Sequence, residues 1–92
     1  MSEIVDLTAT FIPLDGEHGR VRSALDIAIE EVVTEPGCLR YEITADNGSD
    51  ILLTEQWASE EALATHSKGP AVADLHESLS ALLAEPIRLT RP

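Results

Sequence analysis

Apolar and polar residues alternate at the start of the chain, where Val5, Leu7, Ala9 and Phe11 are separated by Asp6, Thr8 and Thr10. A period of two sends the two sets to opposite faces, so residues 4–12 read as a half-buried strand, closed by Pro13 and Gly16. From Glu17 the period changes. Val21, Leu25, Ala28, Ile29 and Val32 recur at spacings of three and four and share one face of a helix, with Arg20, Arg22, Asp26, Glu30 and Glu31 opposite. Glu35-Pro36-Gly37 ends that helix, because proline disfavours a helical residue before it and glycine permits a left-handed turn after it.

Alternation returns over residues 38–45, which predicts a strand with Leu39, Tyr41 and Ile43 on one face and Arg40, Glu42 and Thr44 on the other. Asp46-Asn47-Gly48 is a hairpin signal, since Asn-Gly supplies the positive φ angles of a tight turn. Residues 51–57 come back as the antiparallel partner. Ser59 reads as the N-cap of a short helix with Glu60 and Glu61 in its first turn. Lys68-Gly69-Pro70 interrupts it, and Pro70 opens a second helix with Val72, Leu75, Leu79 and Leu82 or Leu83 as its apolar face, ended by Glu85-Pro86. Residues 87–91 form the last strand. The order is β-α-β-β-α-β, an α+β ferredoxin-like arrangement with a four-stranded antiparallel sheet and a divided second helical region.

Composition adds limits. The chain has 92 residues, 43% of them apolar, enough for one compact domain over 1–92 and one site. A domain this small buries only about 60–65% of the surface its unfolded chain exposes, so pairing with a second copy is expected. With 17 acidic residues against 6 basic, a net charge of −11 and no basic run, a nucleic-acid partner is excluded. No stretch approaches the ~18 apolar residues that cross a bilayer, and the N-terminus lacks the charge and apolar core of a leader, so a cytoplasmic protein with no membrane partner is expected. Cys38 is the one cysteine, which rules out an internal disulfide and a thiolate metal cluster.

Three segments together resemble a known family. Glu35-Pro36-Gly37-Cys38-Leu39-Arg40-Tyr41-Glu42, then Glu55-Gln56-Trp57, then Ser59-Glu60-Glu61-Ala62-Leu63 with His66 are similar to the pattern of the antibiotic biosynthesis monooxygenase domain. The resemblance covers nearly the whole chain. It implies a dimeric α/β barrel, in which the sheets of two subunits pack face to face while each keeps a pocket between its own sheet and helices. It does not fix the reaction, because similar domains include cofactor-independent quinol monooxygenases, quinol oxidases, haem-degrading enzymes and a sugar-phosphate isomerase.

By that resemblance Trp57 matches a pocket tryptophan of the quinol-oxidising members, and core packing is its other reading. Tyr41 either offers its hydroxyl to a substrate or packs in the core with that hydroxyl at the rim. His66 and His76 are candidate bases, since an unperturbed imidazole exchanges its proton near neutral pH. His76 matches a haem-ligating position of some relatives but falls at the edge of the apolar stripe, and His66 also fits a helix C-terminus, where the dipole favours a cation. His18 reads as a loop residue. Departures matter too. Ala9 and His66 replace an asparagine and a tryptophan of the haem-degrading members, which argues against that chemistry, while Leu53 and Leu63 replace an asparagine and a tyrosine of the polyketide oxygenases and predict apolar walls.

The expected function is cofactor-independent, metal-free monooxygenation of a small aromatic or quinol-like molecule. Histidine assists deprotonation, Trp57 and Tyr41 stack on the ring, and the electron-rich phenolate reduces oxygen directly. A non-catalytic dimer that binds a quinone or aromatic ligand is the alternative. It is favoured by sparse polar equipment, since Glu42 and Glu55 are expected in surface or dimer contacts with Arg40 and Arg88. Isomerisation of a sugar phosphate fits an acidic chain least well.

Overall fold

The computed structural model describes residues 3–91. Its elements are β1 (Val5–Phe11), α1 (His18–Val32), β2 (Cys38–Asp46), β3 (Ile51–Trp57), α2 (Glu60–Ser67), α3 (Pro70–Leu79) and β4 (Arg88–Thr90). The strands form one antiparallel sheet in the order β2-β3-β1-β4, with β1 and β3 paired from Val5–Trp57 to Phe11–Ile51. This is the ferredoxin-like α+β arrangement. The helices cover one face only, and the core lies between: Val5, Leu7, Ala9 and Phe11 of β1 and Ile51, Leu53 and Trp57 of β3 are buried against Val21, Leu25, Ala28 and Val32 of α1. Burying side chains of this size contributes about 1.5–3 kcal/mol each, which fixes the face that α1 turns to the sheet.

The joint between α1 and β2 sets the geometry of one end of this layer. Gly37 has φ +83°, and a Cβ built on it would stand 2.5 Å from the Cβ of Ala62 in α2. Its carbonyl accepts the Ala58 N–H at 2.8 Å. Glycine is therefore required twice, for the left-handed turn and for the close approach of α2. Ser59 caps α2 as its sequence predicts, its Oγ accepting the Ala62 N–H at 3.1 Å.

Four local expectations are corrected. The period-two reading places Leu39 with Tyr41, but the β2–β3 register shifts between Cys38 and Arg40, so Leu39 is extruded at a bulge and is 52% exposed. Cys38 and Tyr41 then share the helix-facing side. The hairpin is not a two-residue turn: Gly48 alone has positive φ, and Asn47 Oδ1 collects the N–H groups of Ser49 and Asp50 to close a longer loop. His18 opens α1 instead of lying in a loop. Finally, α3 stops at Leu79, where the Ser80 hydroxyl takes the Glu77 carbonyl. Leu82 and Leu83 belong to an irregular segment held to the end of β1 by Leu14 N–H to Leu82 O at 2.8 Å and Ala84 N–H to Ile12 O at 2.7 Å.

Candidate active site

The split between α2 and α3, together with the irregular segment before β4, leaves a cavity of about 710 Å³ between sheet and helices. Leu7, Ala9 and Phe11 form its floor with Tyr41 and Glu55 of the neighbouring strands. Leu63 and His66 of α2, with Leu75, His76 and Leu79 of α3, roof it. Leu83, Pro86, Ile87 and Leu89 close the far side. The lining is mostly apolar, and its charge is one-sided: Glu55 and Glu85 reach it, while no Lys or Arg does among the described residues.

At one end stands a buried polar cluster. Trp57 and Glu55 are two residues apart on β3 and so face the same side; the indole Nε1–H donates to Glu55 Oε1 at 3.1 Å. Trp57 has no exposed surface. His66 stacks on its ring, with centroids 4.4 Å apart and planes at 29°, and meets the edge of Tyr41 at 5.5 Å. Such aromatic pairs add about 0.5–1.5 kcal/mol beyond the area they bury and hold the imidazole in one orientation. His66 Nδ1 lies 2.9 Å from Glu35 Oε1 and its Nε2 lies 3.9 Å from Glu55 Oε1. Among the described residues, no buried side-chain polar atom lacks a partner.

Burial sets the protonation of this end. It pushes the Glu55 carboxyl above the usual range, against the opposing pull of the Trp57 N–H and of His66. Burial, then the charges of Glu55 and Glu35, pushes the Tyr41 hydroxyl well above its ordinary range, so it is a hydrogen-bond donor at neutral pH.

The residues singled out from the sequence separate into three groups. Tyr41, Leu63, His66 and His76 line the cavity, His66 buried and His76 exposed on the outer part of α3. Trp57 does not line it and touches it through His66 and Glu55, so direct stacking on a ligand is replaced by support from behind. Leu53 is fully buried in the core and supplies no wall. Glu42 pairs with Arg40 on the open face as expected, but Glu55 does not join it: it is 5% exposed and inside the cluster, while Arg88 pairs with Glu85. Glu35, the partner of His66, carries no signal of that pairing in the sequence. The signal for Glu55 was present in the spacing Glu55-x-Trp57, which puts a carboxylate beside a buried indole. No group of three or more His, Cys, Asp or Glu is placed to hold a metal ion among the described residues.

A second His–carboxylate contact lies away from the cavity. His18 Nε2 meets Asp46 Oδ1 at 2.7 Å and Arg22 Nη1 donates to Asp46 Oδ2 at 2.8 Å, tying α1 to the hairpin. The Gly48 N–H first, then His18 and Arg22, hold the Asp46 carboxyl down at about 2.

A ferredoxin-like sheet, helices on one face and a mostly apolar cavity with a few convergent polar groups define a small-molecule-binding α+β protein. The model of the antibiotic biosynthesis monooxygenase family matches residues 7–78, and the chain belongs to that family. Among solved structures, Rv0793 from Mycobacterium tuberculosis superposes with a TM-score of 0.90 at 26% identity, covering 98% of this chain and 93% of its own. PA3566 from Pseudomonas aeruginosa gives 0.89 at 23% identity, with 100% and 94% covered. A Nitrosomonas europaea protein that carries the family name gives 0.90 at 17% identity, with 100% and 90% covered. No curated protein matches the chain.

Proposed function

We propose that the chain is a cofactor-independent monooxygenase of a small, neutral aromatic or quinol-like molecule. One observation carries the reading: a buried imidazole, stacked on Trp57, turns its Nε2 edge toward Glu55 at the end of an apolar cavity large enough for a two- or three-ring ligand. The absence of Lys and Arg from the lining, beside two carboxylates, favours a phenol over a phosphate or carboxylate ester. That also places sugar-phosphate isomerisation last.

His66 takes the ligand's O–H proton at Nε2, and the Tyr41 hydroxyl donates to a second ligand oxygen. The resulting phenolate passes one electron to dioxygen, and the ligand radical and superoxide combine at a ring carbon that bears hydrogen; Nε2–H returns its proton to the peroxide, and loss of the C–H proton with cleavage of the O–O bond yields the carbonyl product and one water. His76 meets the ligand at the outer part of the cavity. Glu55 holds the Trp57 indole that backs the imidazole, and Leu63 packs on the ring. A cytoplasmic homodimer, formed by pairing of the open sheet face bearing Thr8, Leu52 and Thr54, is part of the same proposal; it is supported by the family pattern.

The test is oxygen uptake with a panel of dihydroxynaphthalenes and anthrones, run beside a fluorescence titration of Trp57, the sole tryptophan. Uptake above autoxidation that His66→Ala abolishes supports the oxygenase. Quenching without uptake supports the alternative, a ligand-binding dimer, which the predominantly apolar lining favours.

A further inference from the structure

His66 borders a second cavity. This smaller space, about 260 Å³, lies beyond the imidazole between the C-terminal end of α1, α2 and the start of α3, and is lined by Glu31, Glu35, Thr65 and Gly69 among others. His66 belongs to both linings, whereas Glu35 reaches only the smaller cavity and Glu55 only the larger. The ring is thus a partition whose two nitrogens address different carboxylates: Nδ1 meets Glu35 at 2.9 Å and Nε2 faces Glu55 at 3.9 Å. The asymmetry decides which nitrogen carries the proton. An ionised carboxylate only accepts, so at hydrogen-bond distance Glu35 requires a proton on Nδ1. The longer Nε2 contact is beyond hydrogen-bond reach and imposes no such demand.

We infer that Glu35 is the positioning residue of this site: it fixes His66 as the Nδ1–H tautomer, leaves Nε2 bare toward the larger cavity, and stabilises the imidazolium when Nε2 takes a proton. The inference rests on the reading of His66 as the base of the larger cavity. Its proton balance is simple, one ligand O–H broken and one Nε2–H formed, with Nδ1–H kept on Glu35. The groups that face the ring are Glu35 from the α1–β2 connection, Tyr41 from β2 and Glu55 and Trp57 from β3, and among the described residues no Lys or Arg lines either cavity. With a side chain 23% exposed, Glu35 stays in touch with water from the side opposite the ligand. The same contact can thus polarise the ring without competing for ligand space.

The test is nitrogen NMR of the full-length protein labelled at histidine, read at neutral pH without ligand. The expected wild-type pattern for His66 is a protonated Nδ1, a bare Nε2, and a low-field Nδ1 proton signal slowed in exchange. Glu35→Gln, which can donate as well as accept, loses that uniqueness and gives a mixture of tautomers; Glu35→Ala loses the low-field proton. Asp46→Asn, at the His18 contact, leaves the His66 signals in place. A proton on Nε2 in the wild-type protein, or His66 signals unchanged in both Glu35 variants, overturns the assignment. These signals do not depend on turnover, so an inert protein with the expected pattern would count against the oxygenase alone. With an active one, Glu35→Gln lowers kcat by about 10–100-fold, the usual cost of losing an orienting partner, with KM little changed.

Discussion

Two histidines in this chain each touch a carboxylate, at 2.9 Å in His66–Glu35 and 2.7 Å in His18–Asp46, yet the two contacts differ in everything around them. His66 is 5% exposed, lies against Trp57 and borders two cavities. His18 is 33% exposed and shares its carboxylate with Arg22 and the Gly48 N–H. The distance alone says nothing about role. At His18 an arginine and a backbone amide already satisfy Asp46, so the contact clasps a helix to a hairpin. At His66 no arginine among the described residues competes, and the second nitrogen is left toward a mostly apolar chamber, which is the arrangement the proposed base requires.

The strongest way to break this contrast is at the imidazole. His66→Ala should lower kcat on an accepted quinol by about 10²–10⁴-fold, the usual contribution of a positioned acid or base, whereas His18→Ala should leave kcat unchanged. Steady-state oxygen consumption measures both. Gly37→Ala comes next. A positive-φ alanine costs about 1 kcal/mol and the clash with Ala62 about 1–3 more, so urea denaturation should show a loss of roughly 2–4 kcal/mol, together with a displaced α2.

Smaller effects are read in pH. Burial raises the folded-state affinity of Glu55 for its proton, so wild-type stability falls as pH rises from about 4.3 through the folded value. Glu55→Gln removes that fall, and the variant should gain on wild type as pH rises, in melts taken at successive pH values. Asp46 has the opposite sign. Its folded value near 2 means that its contribution is present above about 3.9 and lost as pH falls toward 2. Asp46→Asn should flatten acid unfolding over that interval and leave turnover untouched, because Asp46 does not line the cavity.

Much of this layout is legible from local rules. The alternation of Val5 to Phe11, the proline-glycine stop after α1 and the Ser59 cap are decided by neighbours within a few residues, and the structure keeps all of them. What fails depends on distant partners. Leu39 obeys the two-residue period until pairing with β3 demands a bulge, and Leu82 continues a helical stripe until hydrogen bonds to the end of β1 pull it away. The site divides in the same way. Tyr41, His66, His76 and Leu63, to which the residue types and the family resemblance point, line the cavity, but the depth of Leu53, the screening of Trp57 and the pairing of His66 with Glu35 depend on how the strands and α2 pack, which no spacing records.

The irregular stretch after α3 has a kinetic meaning. One wall of the larger chamber hangs from the residues just after β1 by two main-chain hydrogen bonds, at Leu14 and Ala84, which make up the Pro13–Leu83 bridge. Freeing it breaks little of the core, so its amides should exchange with deuterium long before those of β3, through local opening and not global unfolding. A molecule lodged against Leu83 and Ile87 slows that opening, and the Ala84 amide becomes a clock for residence time. Such a clock reports a ligand with no product, colour or redox change, and needs no knowledge of its name.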